Sequence, residues 1–523
     1  MYSGIQSQQP TQCQVRPGTS AVAMGAGVIG FCYSWWVLTQ AAGYQPSADS
    51  HYHFTAARCL LRHGPWPSPA TGLPFTVFAQ LPVDHYWGLH VLLTPFAAIG
   101  DYSLGLKLAA AVGCSIVFAA LAAFFARRQV SHPIAWALLC GLFSNQDWRY
   151  LQLRGAQLLL PLMLAFIELI AFVRASRWRN LLVLTTAWLA MLSYHGAVML
   201  LPIAATSAAA AQLCATSRRG ISVRLRAIVR DTSLAVTGLL MGLVINPYAD
   251  RHGSTFRFMI YHLTKMGRDS NNLYADQPLA EFHGMPPALL VSHPEWGLLL
   301  LATLGTLMWL LARAVLRRPP ACDACVLGAL ALLGIVFVSQ AVRMREYAVP
   351  LAFAFLAIAW RDSKPVPRWY RPLPLLVASA ALMLKVPETV RLTRQHLPTH
   401  LYRGAHDLLA ANRTHPVLNL AEADFGMLRI EYLDVVCVHS LSRYFLLPNR
   451  AVYDDLWYLY RSPGQSEART EQVLRRFQER GVRLVATHGN RALDVWATEH
   501  PGWLEVAFRS PVSAARIYRL LGS

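Results

Sequence analysis

Long apolar segments recur between about residue 21 and residue 386, and most approach the roughly 20 residues a helix needs to cross a bilayer. Backbone in lipid must satisfy its own hydrogen bonds, so runs of this kind fold as membrane helices. Composition agrees: 54% of residues are hydrophobic and 14% charged, against about a quarter charged in a soluble domain. The chain reads as an all-α polytopic membrane protein with about eleven transmembrane helices.

The spans fall near 21–42, 104–126, 131–144 and 155–173. Two short spans within 181–214 meet at Ser193-Tyr194-His195-Gly196, and a seventh ends at Asn246-Pro247-Tyr248. Four more lie near 289–315, 324–341, 347–360 and 373–386. Residues 86–100 are apolar but short, and read as a helix lying along the membrane surface or re-entering it. Arg127-Arg128, the cluster Arg174, Arg177 and Arg179, the loop SRRGISVRLRAIVR (217–230), Arg317-Arg318 and the run from Arg361 to Arg371 mark cytoplasmic turns by the positive-inside bias. Parity then puts the loops holding Asp49, Asp147, His195, Glu281 and Arg343 together on the opposite, extracytoplasmic side. The expected setting is a bacterial inner (plasma) membrane.

Three regions follow. Residues 1–20 are polar and nearly uncharged, and read as a cytoplasmic tail rather than a cleaved signal. Residues 21–399 form the membrane domain, with extracytoplasmic loops at 43–103 and 248–288. In 400–523 short β-prone runs (VLNL, VVCVHS, VRLVATHG, WLEVAF, ARIYRL) surround the amphipathic segment SEARTEQVLRRFQERG. This tail reads as a small extracytoplasmic α/β domain.

The net charge of +19 comes from arginines in short loops, which excludes a nucleic-acid partner as the reason for it. Cys322 and Cys325 form a lone CxxC, a weak metal or redox signal without a second pair. No P-loop, GxGxxG after a strand, HExxH or GxSxG is present, so nucleotide hydrolysis and serine or zinc hydrolysis have no support.

The chemistry concentrates in the first outer loop, AGYQPSADSHYHFTAARCLLRHGPW. Carboxylate, imidazole and guanidinium are costly to place at a membrane surface, and together they suit a charged headgroup. Asp49 is a candidate general base or metal-associated acid, and equally a helix cap for the segment that follows. Positions 49 and 53 share a helical face, whereas 51 points elsewhere. His53, Arg58, Asp84 and His85 are candidate substrate contacts in the same loop. The next outer turn, NQDWRYLQLR, offers Asp147 as a second carboxylate, which with Asp49 could hold Mg or Mn. There Arg154 stands at the mouth of an apolar helix, placed to snorkel or to meet a phosphate. His195 occupies the turn between the two short spans. Outer loop 248–288 brings Arg268 and the acid Glu281, and QAVRMREYAVP brings Arg343 and Arg345. Basic residues on the outer side run against the positive-inside trend, and phosphate binding is a physical reason for them. Glu346 beside them is a candidate structural partner for one arginine.

These segments together resemble the GT-C superfamily of integral membrane glycosyltransferases, including bacterial relatives of oligosaccharyltransferase catalytic subunits. ADSHYHFTAARCLLRHG is similar to that family's first outer loop, and NQDWRYLQLRGAQLLLPLML to its second outer loop and fourth span. INPYADRHGSTFRF, AEFHGMPP and VRMREYAVP are similar to later outer segments. The resemblance implies sugar transfer from a polyprenyl-phosphate or pyrophosphate carrier to an acceptor glycan, lipid or protein on the extracytoplasmic face. Asp49 would match the first-loop carboxylate, Asp147 the second-loop acid, and Arg343 or Arg345 the arginines on the lipid phosphate. The second-loop motif reads Asn-Gln-Asp, with an amide where the family has an acid, and the tail lacks a WWD-type motif. The alternative is a transporter or flippase of a polyprenyl-linked glycan. That reading calls for charges in a midplane cavity and for repeated halves; here the charges gather at one rim and no repeat is visible.

Overall fold

A computed structural model describes residues 18–40, 48–64, 73–74, 84, 86–143, 146–214, 220–251, 253, 294–315, 321–340, 344–363, 370, 372–394, 401–438 and 449–522. Among the described residues, the membrane part contains α1 (Thr19–Gln40), α2 (Ala48–His63), α3 (Trp87–Ala97), α4 (Tyr102–Arg127), α5 (Pro133–Leu142), α6 (Gln146–Tyr150) and α7 (Ala156–Ile167). It continues through α8 (Arg177–Ser193), α9 (Leu200–Cys214), α10 (Ile221–Ile245), α11 (Pro294–Val315), α12 (Cys322–Gln340), α13 (Arg345–Asp362) and α14 (Leu373–Arg394).

Eleven of these helices coincide with the expected spans. Among the described residues, seven stretches, including His195–Cys214, are long and apolar enough to cross a membrane by length and composition. The others are shorter or more polar. The span expected at 131–144 is the ten-residue α5, about 15 Å long, which cannot cross alone. The break at 193–196 is real: α8 ends at Ser193 and a short 3₁₀ turn, His195–Met199, leads into α9. The basic segment expected as a loop at 217–230 is different. From Ile221 onward it is the first two turns and more of α10, carrying Arg224, Arg226 and Arg230 on helix. Arginine is a good helix former, and its long stem lets the charge leave an apolar span.

Small residues set the closest packing, as expected where lipid supplies no hydrophobic drive between helices. On α1, Gly30 lies against Phe118 of α4, where an added Cβ would sit 3.0 Å from the ring. Ser115 donates to the Gly27 carbonyl at 2.8 Å across the same contact. Asp101 caps α4 by accepting the Leu104 N–H at 2.9 Å.

The alternating orientation of the helices separates two rims. At one end lie Arg127 and Arg128, which hold Glu168 at the π-turn after α7. The same end holds the bidentate Arg179–Asp231 pair (2.7 and 2.9 Å) and the Arg361–Asp323 pair (2.8 Å). At the other end lie Asp49, Arg149, Arg154, His195 and Glu346.

The tail is an α/β unit, as its run pattern requires. It contains α15 (His406–Ala411), β1 (Val417–Asn419), α16 (Glu422–Glu431), α17 (Arg450–Arg461), α18 (Glu467–Glu479), β2 (Leu484–His488), α19 (Arg491–Glu499), β3 (Leu504–Arg509) and β4 (Ala515–Leu520). The sheet order is β1-β2-β4-β3, with β1 parallel to β2 and the other pairs antiparallel. The expected strand around VVCVHS is a single bridge, Val417 to Cys437. Val452, Leu456, Leu474 and Phe477 bury the apolar stripes of α17 and α18 against the sheet.

This unit rests on α2. His63 Nε2 and Arg62 Nη1 meet Asp434 at 2.9 and 3.3 Å. Arg429 approaches the Cys59 sulfur at 3.6 Å, and Tyr52 packs on the tail's buried cluster. The amphipathic helix α2 is thus held between bundle and tail.

Candidate active site

The site grows from α2, whose sequence is amphipathic and too polar to enter the hydrocarbon. Asp49 lies in its first turn, where a carboxylate complements the helix dipole. Its Oδ2 meets Arg154 Nη2 at 2.7 Å. Arg154 just precedes α7 and is mostly buried, so the turn of the second outer loop reaches the first loop directly. The neighbouring Ser50 hydroxyl accepts the Leu153 N–H at 3.1 Å, pinning the same junction.

The helical spacing expected for the histidines holds. His51 Nδ1 meets the Tyr102 hydroxyl at 3.0 Å, while His53 points to another partner. His53 Nδ1 lies 2.9 Å from His90 Nε2, and His90 Nδ1 lies 2.6 Å from Asp84 Oδ2. All three residues are at most 3% exposed. Asp84 Oδ1 also accepts the Tyr86 N–H at 2.9 Å. Asp84 and His53, expected as surface contacts to substrate, are therefore buried and joined through His90. The sequence reading missed His90, and one signal was available. A histidine in the apolar run WGLHVLLTPFA is expensive unless a partner waits for it. Burial, and after it the Asp84 carboxylate and Tyr86, hold the Tyr52 hydroxyl well above its ordinary pKa.

Tyr86 also stacks on Tyr194, with centroids 5.2 Å apart, which brings the His195 turn to this end. His195 itself is buried. Arg149 and Glu346 form a buried ion pair, so Glu346 has a partner from the second outer turn. Arg345, at the start of α13, is half-buried near this pair in sequence. Asp147 lies on α6, one residue after the buried Gln146, and its side chain is outside the described residues. His85, Arg268, Glu281 and Arg343 also lie outside the described residues.

Farther along α2, Arg58 sits over the Tyr102 ring at 5.5 Å. A groove of about 440 Å³ opens there between α2 and the tail, lined by Arg58, Arg62, His406, Glu431 and Tyr432 with apolar Leu61 beside them. Basic, acidic and aromatic groups interspersed with apolar ones suit a polar ligand at a membrane surface.

Among the described residues, no three His, Cys, Asp or Glu side chains converge as a metal donor set. The Asp49 oxygen that a cation would use faces a guanidinium instead. The other expected donor, Asp147, has its side chain outside the described residues, and no step below passes through a cation.

No protein-family model and no curated protein matches the sequence. Among solved structures, the cryo-EM structure of the arabinofuranosyltransferase AftD from mycobacteria is similar, with a TM-score of 0.53 at 16% identity. The match covers 98% of this chain and 41% of that one, so this chain spans about two fifths of the length of its structural neighbour. The chain shares the fold of the part of that protein with which it aligns.

Proposed function

We propose that the protein moves a sugar from a polyprenyl-phosphate or pyrophosphate carrier to an acceptor hydroxyl on the extracytoplasmic face. One observation carries the reading. Asp49 and Arg154 meet at the membrane-surface start of an amphipathic helix clamped between bundle and tail. That geometry offers an acceptor-orienting carboxylate and a charge-assisted donor for a phosphate within one short contact. Substrate entry would exchange the ion pair for contacts of each member with substrate: Asp49 with the acceptor hydroxyl, Arg154 with the leaving phosphate. Developing negative charge on that phosphate is then stabilised by a guanidinium already in place. Arg345 supplies further positive charge on the same rim. The groove along Arg58 and Arg62 is a seat for the rest of the acceptor or the carrier headgroup. The neighbour's name makes arabinofuranose a first sugar to test.

The test is mass spectrometry of cell-envelope glycans from cells with and without the protein. Loss of one sugar addition is the expected result. The same loss, with the lipid-linked intermediate building up on the cytoplasmic side, would point to a flippase instead, and unchanged glycan structures would contradict both.

A further inference from the structure

We propose that Cys214, Cys322 and Cys325 form a thiol–disulfide site, where a bond from Cys214 to either CxxC thiol clasps α9 to α12 in exchange with a low-molecular-weight disulfide. The site lies on the rim marked by Arg127, Arg128 and Arg361, at the other end of the bundle from Asp49 and Arg154. The inference does not rest on the sugar-transfer reading.

The CxxC of the sequence has company in the fold. Cys322 is the first residue of α12, and Cys325 follows at i+3 on the same face. Cys214 is the last residue of α9, which packs along α12. Its thiol is in hydrogen-bond contact with both Cys322 and Cys325. The three sulfurs therefore meet pairwise at Cys214, and they do not surround one point as a metal donor set would. One apolar span ends at Cys214 and another begins at Cys322, so both stand at the bundle's end, within reach of a water-soluble disulfide.

Accessibility separates these thiols from most of the others. Cys59, Cys114, Cys140 and Cys437 are buried, where a thiol is a small hydrophobe. Cys322 is exposed, and Cys214 and Cys325 are half-buried. The surrounding charges also suit exchange. Asp323, next to Cys322, is held by Arg361 at 2.8 and 3.1 Å. Arg361 donates as well to the Arg128 carbonyl at 2.6 Å, and the Arg128 charge acts on Cys322. Exchange proceeds through the thiolate, and reactive thiols sit beside cations in partly exposed places.

The step balances. The Cys322 thiolate attacks one sulfur of the small disulfide RSSR. A mixed disulfide forms, and RS⁻ leaves with the electron pair and takes up a proton. The Cys214 thiolate then attacks Cys322 Sγ, and the second RS⁻ leaves in the same way. Two protein thiols are oxidised to one disulfide, and RSSR is reduced to two RSH. The third thiol gives the bond a way to move. Attack by Cys325 on Cys214 Sγ forms Cys214–Cys325 and releases the Cys322 thiolate, so the clasp passes along α12 without opening. By the positive-inside bias this rim faces the cytoplasm, where disulfides are transient and serve sensing or catalysis.

The test uses the whole chain in nanodiscs, treated with glutathione disulfide, alkylated with N-ethylmaleimide, digested without reduction and read by mass spectrometry. The expected product joins the Cys214 peptide to the Cys322–Cys325 peptide, and reduced glutathione removes it. Cys322→Ser and Cys325→Ser should each keep a link through the remaining CxxC thiol, and Cys214→Ser should lose it. Oxidation should raise the Tm of the wild type and leave that of Cys214→Ser where it was. A link confined to Cys322–Cys325, mixed disulfides alone, or Cys214 fully alkylated after the treatment would overturn the site. A Cys214 link that leaves the wild-type Tm unchanged would overturn the clasp. The wild-type protein carries the decisive outcomes, so a variant that fails to fold leaves the test intact.

Discussion

Asp49 was legible in the sequence as a charged residue just past a membrane span, but its partner was not. Arg154 looked like a residue waiting for a phosphate; the structure gives it a carboxylate more than 100 positions upstream in the chain, at 2.7 Å. Spacing arguments reach one helical turn, so they found the shared face of 49 and 53 and could not find the Arg154 contact. Glu346 shows the same limit. Its neighbours Arg343 and Arg345 were the natural local partners, and spacing could not show that Arg149, 197 positions upstream, pairs with it. Both members of that pair are buried, which leads to a residue-scale prediction. Arg149→Ala leaves an uncompensated buried carboxylate and should destabilise the bundle by about 3–5 kcal/mol. The double variant Arg149→Ala/Glu346→Ala should lose clearly less than Arg149→Ala alone. Thermal unfolding of the purified protein would check it. Equal losses in the single and double variants would mean the pair is not a coupled unit.

At the scale of elements, hydropathy located every described membrane helix, and arginines located one rim. It misjudged extent where length and charge conflict, at the ten-residue α5 and at α10, whose first turns carry the arginines expected in a loop. Packing between elements was illegible because it depends on absent side chains. Gly105 of α4 is the clearest case: a Cβ there would sit 2.5 Å from the Phe96 carbonyl oxygen and 2.9 Å from the Phe54 ring. Three elements, α2, α3 and α4, meet at that point. Gly105→Ala should therefore cost about 1–3 kcal/mol through overpacking and lower Tm; an unchanged Tm would mean the three helices are not held this closely. In the tail, His500 joins two helices. Its Nδ1 lies 2.9 Å from the Trp496 carbonyl oxygen and its Nε2 2.6 Å from Glu467. Those contacts, the Trp496 carbonyl first, raise its pKa above the ordinary value. A raised pKa in the folded state stabilises the tail fully below about 6.5, the unfolded value. The contribution disappears as pH rises through the folded pKa. Hydrogen exchange over residues 467–500, corrected for intrinsic rate, should show stronger protection at pH 5.5 than at pH 8. His500→Gln should remove most of that difference.

The whole molecule is two rims joined by a bundle, with the α/β tail clamped on one rim through α2. Which rim faces out is a claim about topology. Ser222→Cys and Glu467→Cys, each in a cysteine-free background, should behave oppositely in intact cells. An impermeant thiol reagent should label position 467 directly and position 222 only after lysis. Labelling of 222 without lysis would invert the protein and move the site to the cytoplasm. The central claim is that the Asp49 end of α2 is where sugar transfer occurs. Its most direct test is the initial rate of transfer from a lipid-linked sugar by the Asp49→Asn protein in nanodiscs, beside the wild type and with Tm measured on both. Asn caps a helix as well as Asp, so the account predicts an unchanged fold and a rate lower by about 10²-fold or more. A folded Asp49→Asn protein that transfers at the wild-type rate would contradict it.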